Sequence, residues 1–338
     1  MEALTFIPLK TILRSTDYKF HEVYKNACIF FGAPLIDRTK TLDAGEAFEV
    51  LDPLQTQRTD KTFAESSDLR AASLVSLALE SQRKIQVLWS GGIDSTLALC
   101  ALEKALNKVN SLHLLDVLLS KESIDEYPRF YKDIIENKIT HKLYTPPIYK
   151  ELSPDKIVVS GELGDQLFGS DKLKYHVQTG EAFRPYTDVL PYLIDRKLGI
   201  GKAEKLMAYL APQIEKSPIK IITLYDYLWW MNFSMKWQHV SLRLIKNLPE
   251  ESFILNENYF NFFQSKTFEA WSISQPTLKI NETWPSYKQV AKEYIYETHQ
   301  DKDYLMNKEK EQSLKEVIFC PSLIARIKRN FTPKMGLA

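Results

Sequence analysis

The apolar positions of this chain come in short bursts between polar turns, and their spacing alternates between two periods. KIQVLW (84–89) is a compact apolar run that stops at a turn, the pattern of a strand buried on both faces. TLALCALEKALNK (96–108) carries apolar residues at helical spacing. SLHLLDVLLS (111–120) predicts a second strand and DEYPRFYKDIIENK (125–138) a helix with a proline in its first turn. HKLYT (141–145) and DKIVVSG (155–161) predict two further strands. Strand, helix, strand, helix, strand implies right-handed βαβ units and a parallel sheet, so the expected class is α/β.

The flanks read differently. Residues 1–65 predict a small β-rich region: HEVYKNACIFFGAPLI and AFEVLDPL look like strands, with turn signals at Asp43-Ala44-Gly45. Ser67 is placed to cap a helix over DLRAASLVSLALESQR, with Leu69, Ala72, Leu77 and Leu79 on its apolar side. From about residue 172 the pattern turns helical and aromatic, as in IITLYDYLWWMNFSMKWQHVSLRLI (221–245). This predicts a helical layer on the sheet, with the aromatic stripes in its core.

The first strand ends in Ser90-Gly91-Gly92-Ile93-Asp94-Ser95-Thr96. Glycines allow a tight turn and a close backbone approach. A helix start presents unpaired N–H groups and the positive end of a dipole, and Ser90, Ser95 and Thr96 add hydroxyls. The combination suits a phosphate or pyrophosphate. It is neither a Walker A loop, since no Gly-Lys-Ser/Thr follows, nor a GxGxxG turn. A plain helix cap is the bland alternative for the same residues.

Composition narrows the setting more than the chemistry. In 338 residues, 44 Lys+Arg against 43 Asp+Glu give a net charge of +1, which argues against a nucleic-acid partner. The three cysteines, Cys28, Cys100 and Cys320, make no CxxC pair, so a zinc knuckle or iron–sulfur site is not expected, and Cys100 reads as a buried structural thiol. No signal-peptide pattern or bilayer-length apolar stretch is present, which makes a cytoplasmic setting the default expectation.

SGGIDS (90–95) resembles the SGGxDS signature of the PP-loop ATP pyrophosphatases, and KIVVSGELGDQLFGSD (156–171) resembles the SGEGxDExFGGY segment of the asparagine synthetase family. The second match rests on Ser160, Gly161, Glu162, Asp165, Phe168 and Gly169; Gly164 and Leu167 fall at its variable positions. MNKEKEQSL (306–314) is similar to a third family segment, with Lys308 at an arginine-like position and Lys310 at the family's lysine; by itself KEKE is more often a solvated helix face. NYFNFFQSKTFEAWSIS (258–274) is a looser match from which no contact is carried over.

The resemblance implies a PP-loop domain over 66–338 that takes ATP and Mg²⁺. Asp94 and Asp165, each ending a parallel strand, would converge and hold the metal, since Mg²⁺ takes oxygen ligands together with substrate phosphates. Leu88, Ser90, Gly91, Gly92, Asp94, Ser95, Thr96, Val117, Ser160, Gly161 and Lys308 form the implied nucleotide-binding set. Glu162 and Lys310 are the implied catalytic residues, the first as base and the second stabilising phosphate charge. The reaction expected is adenylation of a small-molecule or peptide carboxylate, then transfer of the acyl group to an amine or to ammonia. A separate ammonia source or carrier could supply the second step.

Three departures qualify this. Glu2 stands where glutamine-using relatives carry a nucleophilic cysteine, so 1–65 reads as a degenerate remnant of that domain; LDAGEAFEVLD (42–52) is similar to its end. Leu163 and Gln166 replace a glycine and a glutamate of the second motif, and Ser170-Asp171 replaces its Gly-Tyr. Two other readings fit the same residues: a PP-loop enzyme that modifies a nucleobase or tRNA, and a catalytically silent relative that acts as an interaction module.

Overall fold

The structure, a computed structural model, describes residues 2–145, 147–170, 172–249, 251–310 and 325–329. Its centre is the set of apolar runs anticipated above: β2 (Ile85–Leu88), β3 (Leu115–Leu119), β4 (Thr140–Leu143) and β5 (Ile157–Ser160), joined by β1 (Glu2–Phe6), β6 (Ile254–Leu255), β7 (Tyr259–Asn261) and β8 (Ala325–Arg329). The eight strands lie in the order β1-β8-β6-β7-β5-β2-β3-β4. β1 runs antiparallel to β8, and the remaining pairings are parallel.

The sheet is covered on both faces, because successive side chains of a strand point to opposite sides. Val87, Val117 and Val159 enter the larger core with Ala71, Leu74, Leu97 and Ala101 of the Phe63–Ser81 and Ile93–Lys108 helices. Leu88, Leu118 and Val158 enter a second cluster with Ile148, Leu242, Leu244 and Leu255. The chain runs β2, β3, β4 to one side and then places β5 on the other side of β2. The gap between the β2 and β5 ends is therefore a topological switch point, where ligands bind in open α/β sheets.

Several local expectations are corrected. The stretch expected as strand at 21–36 is a helix over Glu22–Phe31, ending at left-handed Gly32, and AFEVLDPL forms no strand. Tyr24, Ala27, Cys28 and Phe31 recur at helical spacing, and that stripe, buried in the main core, outweighs the strand-like composition. The next helix starts before Ser67: Thr62 and Glu65 form a capping box, while Ser67 lies inside the helix, bonded to the Phe63 carbonyl at 2.8 Å. The helix expected over 125–138 is broken into Lys121–Glu126, Pro128–Phe130 and a π-turn at Tyr131–Ile135. The proline inserted at 128 interrupts the first piece. The strands at 254–255 and 259–261 were not anticipated; with two and three residues they carry no readable period. Cys100 is fully buried, as expected. No helix among the described residues is long and apolar enough to cross a membrane.

Residues 33–58 run as an irregular strap over the helical layer. The Ile36 and Arg38 N–H groups donate to the Met235 and Ser234 carbonyls at 2.8 and 3.1 Å. Arg38, 2% exposed, anchors the strap: it donates to the Asp52 carbonyl at 2.6 Å, stacks 4.4 Å over Trp237 and pairs with the buried Glu269 carboxylate. Removing one partner of a buried pair leaves an uncompensated charge. Arg38→Ala is therefore expected to lose about 3–5 kcal/mol in urea unfolding. Arg38→Met with Glu269→Leu should recover most of it; additive losses in the double variant would show that the pair does not anchor the strap.

Candidate active site

The two loops that end β2 and β5 pack against each other, and small residues permit the contact. A Cβ on Gly161 would come within 2.8 Å of the Ser95 nitrogen, and one on Gly164 would sit on the Asp94 carboxylate. Gly164 is thus required by the steric fit of the two loops, although it occupies a variable position of the motif. Gly91 turns the first loop at φ 76°, with its Cα facing the Ser123 carbonyl. Leu163 also lies in the left-handed region at φ 77°, where glycine is the usual residue, and its side chain is 1% exposed in the main core. Such a backbone costs about 1–3 kcal/mol, and burying a leucine contributes about 1.5–3 kcal/mol in return.

Asp94 and Asp165 meet at the floor of a cleft of about 230 Å³. Its walls include Leu88, Ser90, Gly92, Ser95, Ser160, Gly161, Glu162, Lys308 and Lys310. Most of the residues singled out from sequence are therefore brought together. Three are not. Thr96 is fully buried and its hydroxyl accepts the Trp89 indole N–H at 3.0 Å. Val117 points into the helix-side core. Gly91 shapes the turn behind the wall. The first loop also spends a hydroxyl on itself: Ser95 Oγ accepts from the Ser90 N–H at 3.0 Å and lies 2.9 Å from Ser90 Oγ. What the loop presents is backbone, because no side chain caps the Ile93–Lys108 helix at Gly92.

Lys288 was not anticipated. Its Nζ lies 2.7 and 2.6 Å from the two Asp94 oxygens and 2.7 Å from Asp165 Oδ1. Its side chain is fully buried, 5.8 Å from the Phe168 ring and 5.5 Å from that of Tyr287. Nothing in YKQVAKEY marks this lysine, since only the fold brings 288 beside 94 and 165. Lys310 Nζ stands 3.6 Å from Asp165 Oδ2, and Lys308 pairs with Glu126, which the broken 121–135 segment places in the cleft wall. Glu162 pairs with Arg243 at 2.6 Å, another partner that no motif announced.

Burial would raise the Asp165 carboxyl, but the Lys288 and Lys310 ammoniums outweigh it and hold it well below the carboxylate range. Burial pushes Asp94 upward against Lys288, with the Asp165 charge adding to the rise. Glu162 is also raised by burial, with Arg243 opposing. Gln166 donates to Asn232 Oδ1 at 3.2 Å. Asn232 in turn donates to the Asp165 carbonyl at 3.0 Å and to the Gly169 carbonyl, so Gln166 braces the turn that carries Asp165 without adding charge. Ser160 Oγ donates to Asn261 Oδ1 at 2.8 Å, tying β5 to β7. Ser170 lines the cleft, while Asp171, 311–314 and Cys320 lie outside the described residues.

No family model matches the chain, and no curated protein matches it. Among the described residues no group of three or more His, Cys, Asp or Glu could hold a metal alone. Asp94 and Asp165 keep cleft-facing edges, with side chains 17% and 23% exposed, while Lys288 meets them from the core side. Two carboxylate donors suit a Mg²⁺ that brings phosphate oxygens with it.

Gly164→Ala is expected to cost about 1–3 kcal/mol in urea unfolding through the clash with Asp94. The same substitution in an Asp94→Ala background should cost clearly less; equal costs would locate the strain elsewhere.

Proposed function

We propose that the protein is an ATP-dependent, AMP-forming amide ligase of the asparagine synthetase-like PP-loop type. The observation that carries this reading is the convergence of Asp94, Asp165, Glu162, Lys308 and Lys310 on one cleft at the sheet's switch point. These residues come from separate segments, and a helix-cap role for each would not require them to share a cavity.

The start of the Ile93–Lys108 helix, which no side chain caps, would receive the phosphates. Mg²⁺ held by Asp94 and Asp165 would neutralise phosphate charge. Lys310, beside Asp165, is positioned to stabilise negative charge that develops on the α-phosphoryl group. A substrate carboxylate oxygen attacks the α-phosphorus, the bond to the bridging oxygen breaks and pyrophosphate leaves. An amine nitrogen then attacks the acyl carbon and AMP leaves. Glu162 is our candidate to take the amine proton; burial raises its carboxyl and strengthens it as a base, and Arg243 opposes the rise. The apolar wall of Leu88, Ile148, Val240 and Leu244 offers a dry surface to a flat or aliphatic group.

Incubation with Mg-ATP, a panel of carboxylates and an amine should release pyrophosphate and AMP in equal amounts. Formation of ADP and phosphate would overturn the adenylation step. Lys310→Met is expected to lower kcat about 10²–10³-fold with the protein still folded. Arg243 lowers the Glu162 pKa, so Arg243→Met should raise it further and move the acid limb of kcat/KM to higher pH. An unmoved limb would remove Glu162 from the role of base.

A further inference from the structure

Lys288 occupies an unusual place for a lysine. It caps the Gln289–Thr298 helix with its backbone at φ 59°, in the left-handed region, and its N–H donates to the Lys279 carbonyl at 3.1 Å. That conformation delivers the ammonium under both loops. It touches both oxygens of Asp94 and one of Asp165, yet it is not among the cleft walls.

Two carboxylates without a partner carry −2, which matches a divalent cation by itself. With Lys288 built in, the trio carries −1, and Lys310 at 3.6 Å from Asp165 Oδ2 reduces the field further. A bare divalent ion entering from the cleft would then meet a nearly compensated site, whereas one that arrives on a polyphosphate brings its own counter-charge and oxygen ligands.

We propose that Lys288 is a positioning residue, a tethered counter-cation. It holds Asp94 and Asp165 together and keeps them from retaining a divalent metal until a phosphate-bearing ligand supplies the remaining charge. The inference rests on the reading of the cleft as a metal–nucleotide site, and it adds an order of binding that the ligase reading alone does not require.

Mn²⁺ titration followed by electron paramagnetic resonance tests it, with wild type and Lys288→Met, each with and without a non-hydrolysable ATP analogue. Wild type without analogue should hold Mn²⁺ at least tenfold more weakly than with it. Lys288→Met without analogue should hold Mn²⁺ at least tenfold more tightly than wild type without analogue, and adding Asp94→Asn to that variant should abolish the gain. A melting temperature raised by Mn²⁺ in Lys288→Met but not in wild type would report the same site without turnover. An unchanged Mn²⁺ affinity in Lys288→Met overturns the proposal. So does nucleotide-free wild type that binds Mn²⁺ as tightly as its analogue complex, a comparison that stands even if the variant does not fold. The two readings fail separately. If Lys288→Met gains the metal but neither protein binds the analogue, the counter-cation role stands, while the order of binding and the ligase reading fall. If wild type binds Mn²⁺ with the analogue and the variant gains nothing, the ligase reading stands and the role of Lys288 falls.

Discussion

The structure depends on holding two carboxylates at one point. Like charges about 4 Å apart repel by about 4 kcal/mol at the effective dielectric of a partly buried site. Asp94 and Asp165 can share the cleft floor because Lys288 stands between them on the core side, in contact with both. Much of the surrounding architecture serves that contact. Gly161 and Gly164 let the two loops close on each other, and Asn232 ties down the carbonyls of the second turn. The Phe168 and Tyr287 rings flank the ammonium.

A charged trio at the end of a sheet needs a rigid frame. β2 and β5 pair in parallel register, Ile85 opposite Ile157 and Val87 opposite Val159, so their loops emerge side by side. Both strands are buried along their whole length, and helices or loops cover each face. The strap through Arg38 and the β5–β7 link through Ser160 and Asn261 connect this frame to the N-terminal region and to the helical layer. Residues 1–65 share the main core through Phe20, Tyr24, Phe31 and Leu35, so they contribute to the same packed body as the site.

Cleft chemistry follows from paired charges in place of isolated ones. Glu162 faces Arg243, Glu126 faces Lys308, and Asp165 lies between Lys288 and Lys310. An anionic ligand with a metal can exchange partners within such a set without leaving a buried charge unmatched, which is the costly alternative. Gln166 and Leu163 fit this picture. Gln166 keeps a hydrogen bond where a carboxylate would add charge, and Leu163 keeps the left-handed turn at the cost of strain that its burial offsets.

What the sequence determined by itself is local and periodic. The apolar runs of β2, β3 and β5, the 93–108 helix and the loop glycines were readable because burial on both faces and tight turns leave strong composition signals. The convergence of Asp94 with Asp165 was also legible, since parallel strands put their ends on one side. The helix at 22–31 was misread because its β-branched and aromatic residues resemble a strand until the core shows which face is buried. Thr96 and Val117 lie outside the cleft lining, and a sequence does not say to which face of the sheet or helix a residue points. Lys288, Arg243 and Glu126 were invisible: each acts on a residue more than 30 positions away, and a charge partner leaves no mark on its neighbours in the chain. Tertiary structure decided those, because electrostatic pairing depends on distance in space, and only the folded sheet makes residues 94, 165 and 288 neighbours.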